Sequence, residues 1–373
     1  FTFTATSTAS QIRLTKGGNT GVTNFDNISI KEVLFDQADG TLQLYNYPNN
    51  VPRIEYDATG AVKGLLIEEA RTNLYLKSNQ FVSPWNLIGS TVTASAGTSP
   101  TGLADAWRWV GNGTSILYQG TAYVAGDYTV SAWVKSNGAG EDTFRLYGSN
   151  NVISGDFTAT SEWVRYSYTF TSAIVGSRFS GILYGSSQGN VDLLVYGLQI
   201  EAGSFPTSYI PTSGSSVTRA KDLAEIPTSA FGYNNDKGSL VIDVLTPVAD
   251  QFMPIAYFNT SSFYNSRGFV KSNSNSTSLG PHYVLATYDG ASTKIQLGAY
   301  TQAEYTKLGL SYGDNESGVR DGGTVLSGDS RYPNPTRLHL GGRDNGFQSQ
   351  CWIKSIQYYP RRLTDTQLQE LTT

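Results

Sequence analysis

Six side chains near the middle of the sequence combine what sugar recognition requires. Sugar rings present apolar C–H faces that pack against aromatic planes, while neighbouring polar groups hydrogen-bond their hydroxyls. Arg145 and Tyr147 alternate with Thr143 along one predicted strand, so the three project to one side of a sheet. The sequence predicts a carbohydrate-binding surface on the polar face of this region, formed by Trp133, Arg145, Tyr147, Trp163, Arg165 and Tyr184. Burial is the alternative for the tryptophans, because a Trp that begins a strand often covers the edge of a β-sandwich.

Calcium is the one cofactor for which the sequence offers ligands. Asp314, Asp321 and Asp344 each lie in a loop rich in acidic, glycine or asparagine residues, whose oxygens suit this ion. The spacing follows no EF-hand pattern, and ordinary turn chemistry explains the same residues equally well. The sequence therefore allows calcium without requiring it.

Groups for nucleophilic or metal catalysis are scarce. The two histidines, His282 and His339, lie at strand-like positions outside any recognisable nucleophile motif. Cys351, the single cysteine, is expected to be a small buried hydrophobe. No Cys/His cluster indicates zinc. The sequence thus predicts that this chain is not an enzyme, although a catalytic domain on an upstream segment stays open.

Paired carboxylates would be a further route to chemistry on sugars. Glycoside hydrolysis needs two carboxyl groups roughly 5–9.5 Å apart, one of them with a raised pKa. The candidate acids lie in a connector, a turn and the starts of strands, where solvated positions are expected: Glu68, Glu69, Glu141 and Glu162. No catalytic pair is predicted among them.

The overall composition narrows the class of protein. A chain of 373 residues is long enough for two or three domains. Charged residues make up 15% of it, and 39 glycines and 24 tyrosines accompany abundant Ser and Thr, a balance typical of all-β structure. A net charge of −4 without a basic run argues against nucleic-acid binding. No stretch reaches the roughly 20 apolar residues that span a bilayer, so membrane insertion is not expected.

Local patterns indicate the elements that would position these side chains. Alternation over residues 128–134 gives one strand an apolar and a polar face. Trp107 and Trp109 flank Arg108 on the same side of another strand, which favours burial for both. Thr364 is expected to cap a short closing helix.

The elements arrange into consecutive antiparallel β-sandwiches. Similar short sequence segments recur in the same order near both ends of the first 201 residues. This repeat predicts that the sequence opens inside one sandwich and then contains a complete one. The predicted order is the end of a preceding sandwich (1–33), a connector with a β-hairpin (34–71), a sandwich (72–210), a linker (211–225) and a final sandwich (226–373).

Two segments of the sequence, residues 53–74 and 199–220, resemble parts of bacteriophage and prophage tail or fibre proteins. The region between them is similar to the jelly-roll carbohydrate-binding modules of such proteins and of secreted glycoside hydrolases. The final domain is similar to laminin-G or concanavalin-like sandwiches, through residues 340–342 and 359–365. The pair Cys351-Trp352 departs from that pattern, because a small residue, often Gly, is common before the penultimate strand of laminin-G domains.

The resemblance implies a non-catalytic component of a phage tail or tail fibre, located in the virion outside the cell, that attaches to glycans of the host surface. It also implies other virion tail proteins as partners and a homo-oligomer, with a trimer favoured by family analogy. Repetition of weak contacts in such an assembly would raise the effective affinity. Two alternatives stay open: a structural virion spacer or decoration protein, and accessory binding domains of a secreted polysaccharide-degrading enzyme.

Overall fold

The computed structural model describes residues 52–57, 59–138, 142–148, 152–173, 175–184, 190–247, 253–259, 265–271, 282–289, 291–299, 304–329, 334–342 and 350–373. Almost all regular structure in them is antiparallel β-strand, so the predicted all-β class is confirmed. No helix in these ranges is long and apolar enough to cross a membrane. The sandwich expected at 1–33 lies outside the described residues.

The strands of the described chain fall into three groups. The first group is β1 (Ile54–Tyr56), β2 (Val62–Ile67) and β3 (Arg71–Asn73). The middle group is β4 (Asn86–Gly97), β5 (Ala106–Tyr123), β6 (Gly126–Ser136), β7 (Asp142–Tyr147), β8 (Phe157–Ala159), β9 (Val164–Ser172), β10 (Gly176–Tyr184) and β11 (Asn190–Ala202). The last group is β12 (Val217–Arg219), β13 (Ala224–Pro227), β14 (Gly238–Leu245), β15 (Met253–Asn259), β16 (Asn265–Lys271), β17 (His282–Asp289), β18 (Ala291–Ala299), β19 (Tyr305–Tyr312), β20 (Asn315–Arg320), β21 (Leu326–Asp329), β22 (Arg337–Leu340) and β23 (Cys351–Tyr359), followed by helix α1 (Asp365–Thr372).

The middle domain is a β-sandwich whose two sheets share the long strand β5. The first half of β5 lies between β4 and β11, and its second half lies between β10 and the start of β4. The strands form one continuous hydrogen-bonded order, β8-β7-β10-β5-β11-β6-β9 with β4 also on β5, which folds at β5 into two layers: β4-β5-β11-β6-β9, and β8-β7-β10-β5. The halves of β5 are separated at 112–115, because Ser90 pairs with Gly111 while Ile88 pairs with Ile116. Such a bulge bends a strand and lets it pass from one sheet to the next.

The predicted alternation in β6 is confirmed by the core of this sandwich. Tyr128, Val130, Ala132 and Val134 are buried and belong to one apolar cluster with Phe144 of the opposite sheet. Large apolar side chains in such positions each stabilise the fold by about 1.5–3 kcal/mol. The two sheets are held together by this shared core.

The final domain is a second sandwich. One sheet runs β1-β2-β23-β14-β19-β20-β21 and the other β13-β22-β15-β16-β17-β18. Ile242 and Leu310 of the first sheet meet Phe258 and Phe269 of the second in the core. The predicted closing helix is confirmed as α1, with Thr364 and Gln367 forming a reciprocal capping box.

The expected connector and linker are not independent spacers. Strand β2 of the hairpin pairs with β23, with Leu65 opposite Ile353, so the hairpin belongs to the final sandwich. Strand β3 pairs with β12, with Thr72 opposite Thr218. A two-stranded hairpin is marginally stable alone, and Ile67 buries its side chain in the final core. The middle sandwich is therefore an insertion into the final one, and its two ends run side by side through β3 and β12.

Glu68, directly after β2, is fully buried where the two sandwiches join. Its Oε2 lies 2.6 Å from Arg53 Nη2 and 2.9 Å from Arg219 Nη1. Its Oε1 accepts hydrogen bonds from Ser208 N at 2.8 Å and Gln350 Nε2 at 3.2 Å. One carboxylate thus ties together the hairpin, β12, the segment after β11 and the start of β23. The expectation that Glu68 is solvated is wrong, because these partners surround it.

The segment 199–220 builds the other side of this junction. Glu201, fully buried, accepts hydrogen bonds from Thr207 N at 2.9 Å and Thr207 Oγ1 at 2.7 Å, which fold the chain back after β11. The Arg71 guanidinium lies 4.7 Å from the centre of the Phe205 ring. Gly203 has a φ of +129°, and a Cβ there would collide with Arg71. The segments 53–74 and 199–220 therefore pack against each other as one structural unit.

The charges at this junction shift the pKa of Glu68. Burial disfavours the ionised form and by itself would raise the pKa. The positive charges of Arg219 and Arg53 and the hydrogen bond from Ser208 outweigh burial, so the pKa of Glu68 lies below its ordinary value. The pKa of Arg53 is raised, since attraction to Glu68 and Asp222 exceeds the opposing effect of burial. Both shifts indicate an ion pair that is stable at neutral pH.

Replacing Glu68 with Gln should destabilise the protein by about 3 kcal/mol, because Arg219 and Arg53 lose a buried counter-charge. The change is measurable as a lower midpoint of urea unfolding. Glu162→Gln, at an exposed position, is the matched control and should leave the midpoint unchanged. Equal midpoints for Glu68→Gln and the parent would contradict the assigned role.

The parent should also lose stability in acid more steeply than Glu68→Gln. A carboxyl whose pKa is lowered by folding stabilises the protein above its unfolded pKa, about 4.3 for Glu, and this contribution disappears as the pH falls through the lower folded value. Urea midpoints of both proteins measured from about pH 7 down to about pH 3 test this. Parallel curves would show that Glu68 carries no such linkage.

Candidate functional site

The sequence-predicted sugar-binding residues do not share one face. Trp133 lies on β6 and Arg165 on β9, in one sheet of the middle sandwich, and Trp163 directly precedes β9. Arg145 and Tyr147 lie on β7, in the other sheet. The single platform inferred from the sequence is therefore wrong in its geometry.

Trp133 and Arg165 are covered by the chain segment that follows β11. Trp133 is 3% exposed and packs edge-on against Tyr209, with ring centres 5.6 Å apart. The Arg165 guanidinium lies 4.5 Å from the Trp133 ring and donates to Thr207 O at 2.7 Å and Ser131 Oγ at 3.0 Å. Burial, the alternative left open for the tryptophans, describes Trp133, and Arg165 is held against it.

Trp163 and Tyr184 are placed differently. Trp163 packs at the margin of the Trp133 cluster, and its Nε1 donates to Thr98 O at 3.0 Å. The backbone of Tyr184 pairs with Phe144, and its side chain lies outside the described part of the structure. Trp163 does not join Arg145 and Tyr147.

Arg145 and Tyr147 belong to the outer face of the sheet β8-β7-β10-β5. In this sheet Tyr147 lies opposite Gly181 of β10, and Gly181 lies opposite Tyr118 of β5. Residues directly opposite each other project to the same side of a sheet. Phe144 and Leu146, the alternate residues of β7, are buried in the core. The two tyrosines therefore stand on the outside, with a glycine between them.

The glycine makes this row a slot. A Cβ on Gly181 would collide with the carbonyl oxygen of Leu117, so only glycine fits here. Neighbouring strands are about 4.8 Å apart, which puts the backbones of Tyr147 and Tyr118 roughly 9.6 Å apart. Glycine in a strand interior often marks a site where another group approaches closely. The row thus has two aromatic walls with a glycine between them whose own surface is largely covered.

Apolar and charged groups border the slot. Phe179, 50% exposed, packs edge-on against Tyr118 with ring centres 4.8 Å apart. Ile88 of the adjoining strand β4 is 47% exposed. Arg145 Nε donates to Asp156 Oδ1 at 2.6 Å, which fixes its guanidinium beside the tyrosine row. We call this surface the outer tyrosine face: Tyr118, Tyr147, Arg145, Phe179, Gly181 and Ile88.

The described residues of the outer tyrosine face supply aromatic and polar groups and include no carboxylate. Aromatic planes fit apolar ring faces, and the guanidinium and tyrosine hydroxyls can hydrogen-bond polar substituents. Asp156, the acid beside the face, is ion-paired with Arg145. In the described ranges no group of three His, Cys, Asp or Glu residues is placed to hold a metal.

The remaining sequence candidates are structural where the chain is described. His339 is 4% exposed and stacks on Tyr257 at 5.2 Å. Burial raises the pKa of the Cys351 thiol to about 12, which confirms its expected role as a buried hydrophobe. The side chain of His282 lies outside the described residues.

The calcium candidates also have other partners. Asp314 is exposed in the turn between β19 and β20. Asp321 has a φ of +48° and accepts hydrogen bonds from Arg320 Nε and Lys307 N, both at 2.8 Å, which is turn chemistry. Asp344 lies outside the described residues. Glu316, from the first of these loops, points into the core and pairs with Arg267 at 2.8 Å.

Known proteins resemble this chain only weakly. No protein-family model matches this sequence, and no curated protein matches it. The chain is similar to Trypanosoma rangeli sialidase, with 18% identity over 37% of this chain and 23% of that one, at a TM-score of 0.31. It is similar to the NanB sialidase from Streptococcus pneumoniae, with 12% identity over 39% of this chain and 26% of that one, at a TM-score of 0.33.

A third similarity is to the Ruminococcus gnavus IT-sialidase CBM40 bound to α2,3 sialyllactose. It amounts to 13% identity over 41% of this chain and 96% of that one, at a TM-score of 0.32. The chain spans only about a quarter of the length of either sialidase. At these TM-scores the similarities assign this chain no ligand and no reaction.

Proposed function

We propose that this chain is a non-catalytic glycan-binding protein of a bacteriophage tail or tail fibre, which attaches the virion to the host surface through the outer tyrosine face. The observation that carries the proposal is the row of Tyr147, Gly181 and Tyr118 across three strands. A sugar ring lying over the glycine would contact both aromatic walls. The exposed Phe179 extends the apolar strip along β10.

The proposed phage origin rests on the two segments 53–74 and 199–220. They pack against each other at the Glu68 junction, so their resemblance to phage tail proteins concerns one structural unit that carries an inserted sandwich. The inserted middle sandwich is attached to the final sandwich at the Glu68 junction, so its surfaces away from this junction are free to face outward. This arrangement suits a binding domain displayed from a larger assembly, with other virion proteins and further copies of the chain as partners.

A structural spacer is the second candidate, and the exposed apolar side chains favour it. Phe179 and Ile88 would be covered in a contact with another virion protein. Exposed apolar patches mark protein contacts as well as ligand grooves. In that case the outer tyrosine face would be buried in the assembled particle and would bind no sugar.

Single replacements in the tyrosine row should weaken binding of the full chain to host envelope polysaccharide. Each aromatic contact contributes about 0.5–1.5 kcal/mol, so Tyr118→Ala and Tyr147→Ala should each lower the affinity roughly 2- to 12-fold. Surface plasmon resonance on immobilised polysaccharide measures the change.

The matched control is Tyr56→Ala, which removes a 40% exposed tyrosine from the edge strand β1 of the other sandwich. It should bind like the parent. Unfolding midpoints show whether any variant is simply destabilised. Unchanged affinity in the Tyr118→Ala/Tyr147→Ala double variant, or no binding by the parent to any host envelope preparation, would refute the proposed surface.

A further inference from the structure

A second recess lies at one end of the middle sandwich, away from the outer tyrosine face. Strand β4 carries a bulge there, since Thr93 pairs with Arg108 and Gly97 pairs with Ala106. Ser95, inside the bulge, has a φ of +50°, which L side chains rarely adopt. Bulges and strained residues of this kind are over-represented beside binding sites, where they re-aim the chain.

The bulge forms one wall of an open cleft of about 450 Å³, a volume within the usual range of ligand pockets. Trp107 forms another wall. Its ring packs edge-on against the buried Phe81, with centres 5.5 Å apart, and it remains half-buried. The expectation that Trp107 and Trp109 are both core residues is confirmed only for Trp109, which is fully buried.

Polar groups converge on the cleft from two further segments. Asn79 Nδ2 donates to Asp105 O at 3.3 Å, and Asn79 Oδ1 accepts from Gly197 N at 3.4 Å, so the loop before β4 is fixed against β5. Gln80, the next residue, is exposed and lines the cleft. Among the described residues that line the cleft, none is lysine or arginine.

The carboxylate of Asp105 gives the cleft its chemical preference. Asp105 is the only charged residue among the described residues that line the cleft, and no basic side chain there balances its charge. An acidic wall of this kind favours a ligand that brings a hydrogen-bond donor, above all a cationic one.

We propose that this cleft binds a hexosamine with a free amino group. The ammonium donates to Asp105, and the apolar face of the sugar ring lies against Trp107. Hydroxyls reach Gln80 and Ser95. The absence of a basic side chain among the lining residues described above excludes carboxylated and phosphorylated sugars as preferred ligands.

The cleft site is separate from the proposed attachment surface. It lies at the ends of β4 and β5 and uses none of the residues of the outer tyrosine face. Loss of either site therefore leaves the other in place. The two proposals can fail independently.

The test compares glucosamine, N-acetylglucosamine and glucose as ligands of the full chain at neutral pH, by calorimetric titration. Glucosamine should bind with millimolar affinity and at least about tenfold more tightly than the other two sugars. Asp105→Asn should abolish this preference. Asp236→Asn, an exposed acid of the other sandwich, is the charge-matched control and should keep it.

Two further variants make every outcome decisive. Gln80→Ala, at an exposed position, should weaken glucosamine several-fold without a change in thermal stability. The Tyr118→Ala/Tyr147→Ala double variant should bind glucosamine like the parent, whatever happens to polysaccharide binding. Equal affinity for the three sugars, no binding of glucosamine, or full binding by Gln80→Ala together with Asp105→Asn would overturn the proposal.

Discussion

The buried carboxylate of Glu68 fixes how the two sandwiches are connected. Removing a charge from water is costly, and only well-placed partners compensate for it. Arg53 and Arg219 supply the opposite charge, while Ser208 and Gln350 supply hydrogen bonds. These groups come from distant parts of the sequence. They surround Glu68 when the chain passes from the final sandwich into the middle one and returns at the same place.

Local patterns in the sequence predict the strands well and their long-range pairing poorly. Period-2 alternation identified the core face of β6, and a capping pattern identified α1, because both depend on neighbours in sequence. The pairing of β2 with β23 joins segments that are far apart in the chain, and no local pattern encodes it. Glu68 was misplaced for the same reason, since a carboxylate looks solvated until its tertiary partners are known.

The candidate site shows the same division. Arg145 and Tyr147 were identified by alternation along one strand, whereas Tyr118, Phe179 and Gly181 join them only through pairing across strands. A glycine inside a strand pattern was the available signal for the slot. Trp133 and Arg165 looked like a sugar platform because no local pattern shows that the polar segment around Thr207 and Tyr209 covers them. Polar chain can cover an aromatic cluster when its own hydrogen bonds are satisfied, as those of Thr207 are by Glu201.

A crystal structure of the full chain soaked with an oligosaccharide from the host envelope tests the functional claim most directly. The account predicts sugar density over Gly181, with a ring between the side chains of Tyr118 and Tyr147 and a hydroxyl within hydrogen-bond distance of Arg145. Sugar bound at another surface while this row stays empty would contradict it, and so would a partner protein covering the row in the proposed virion.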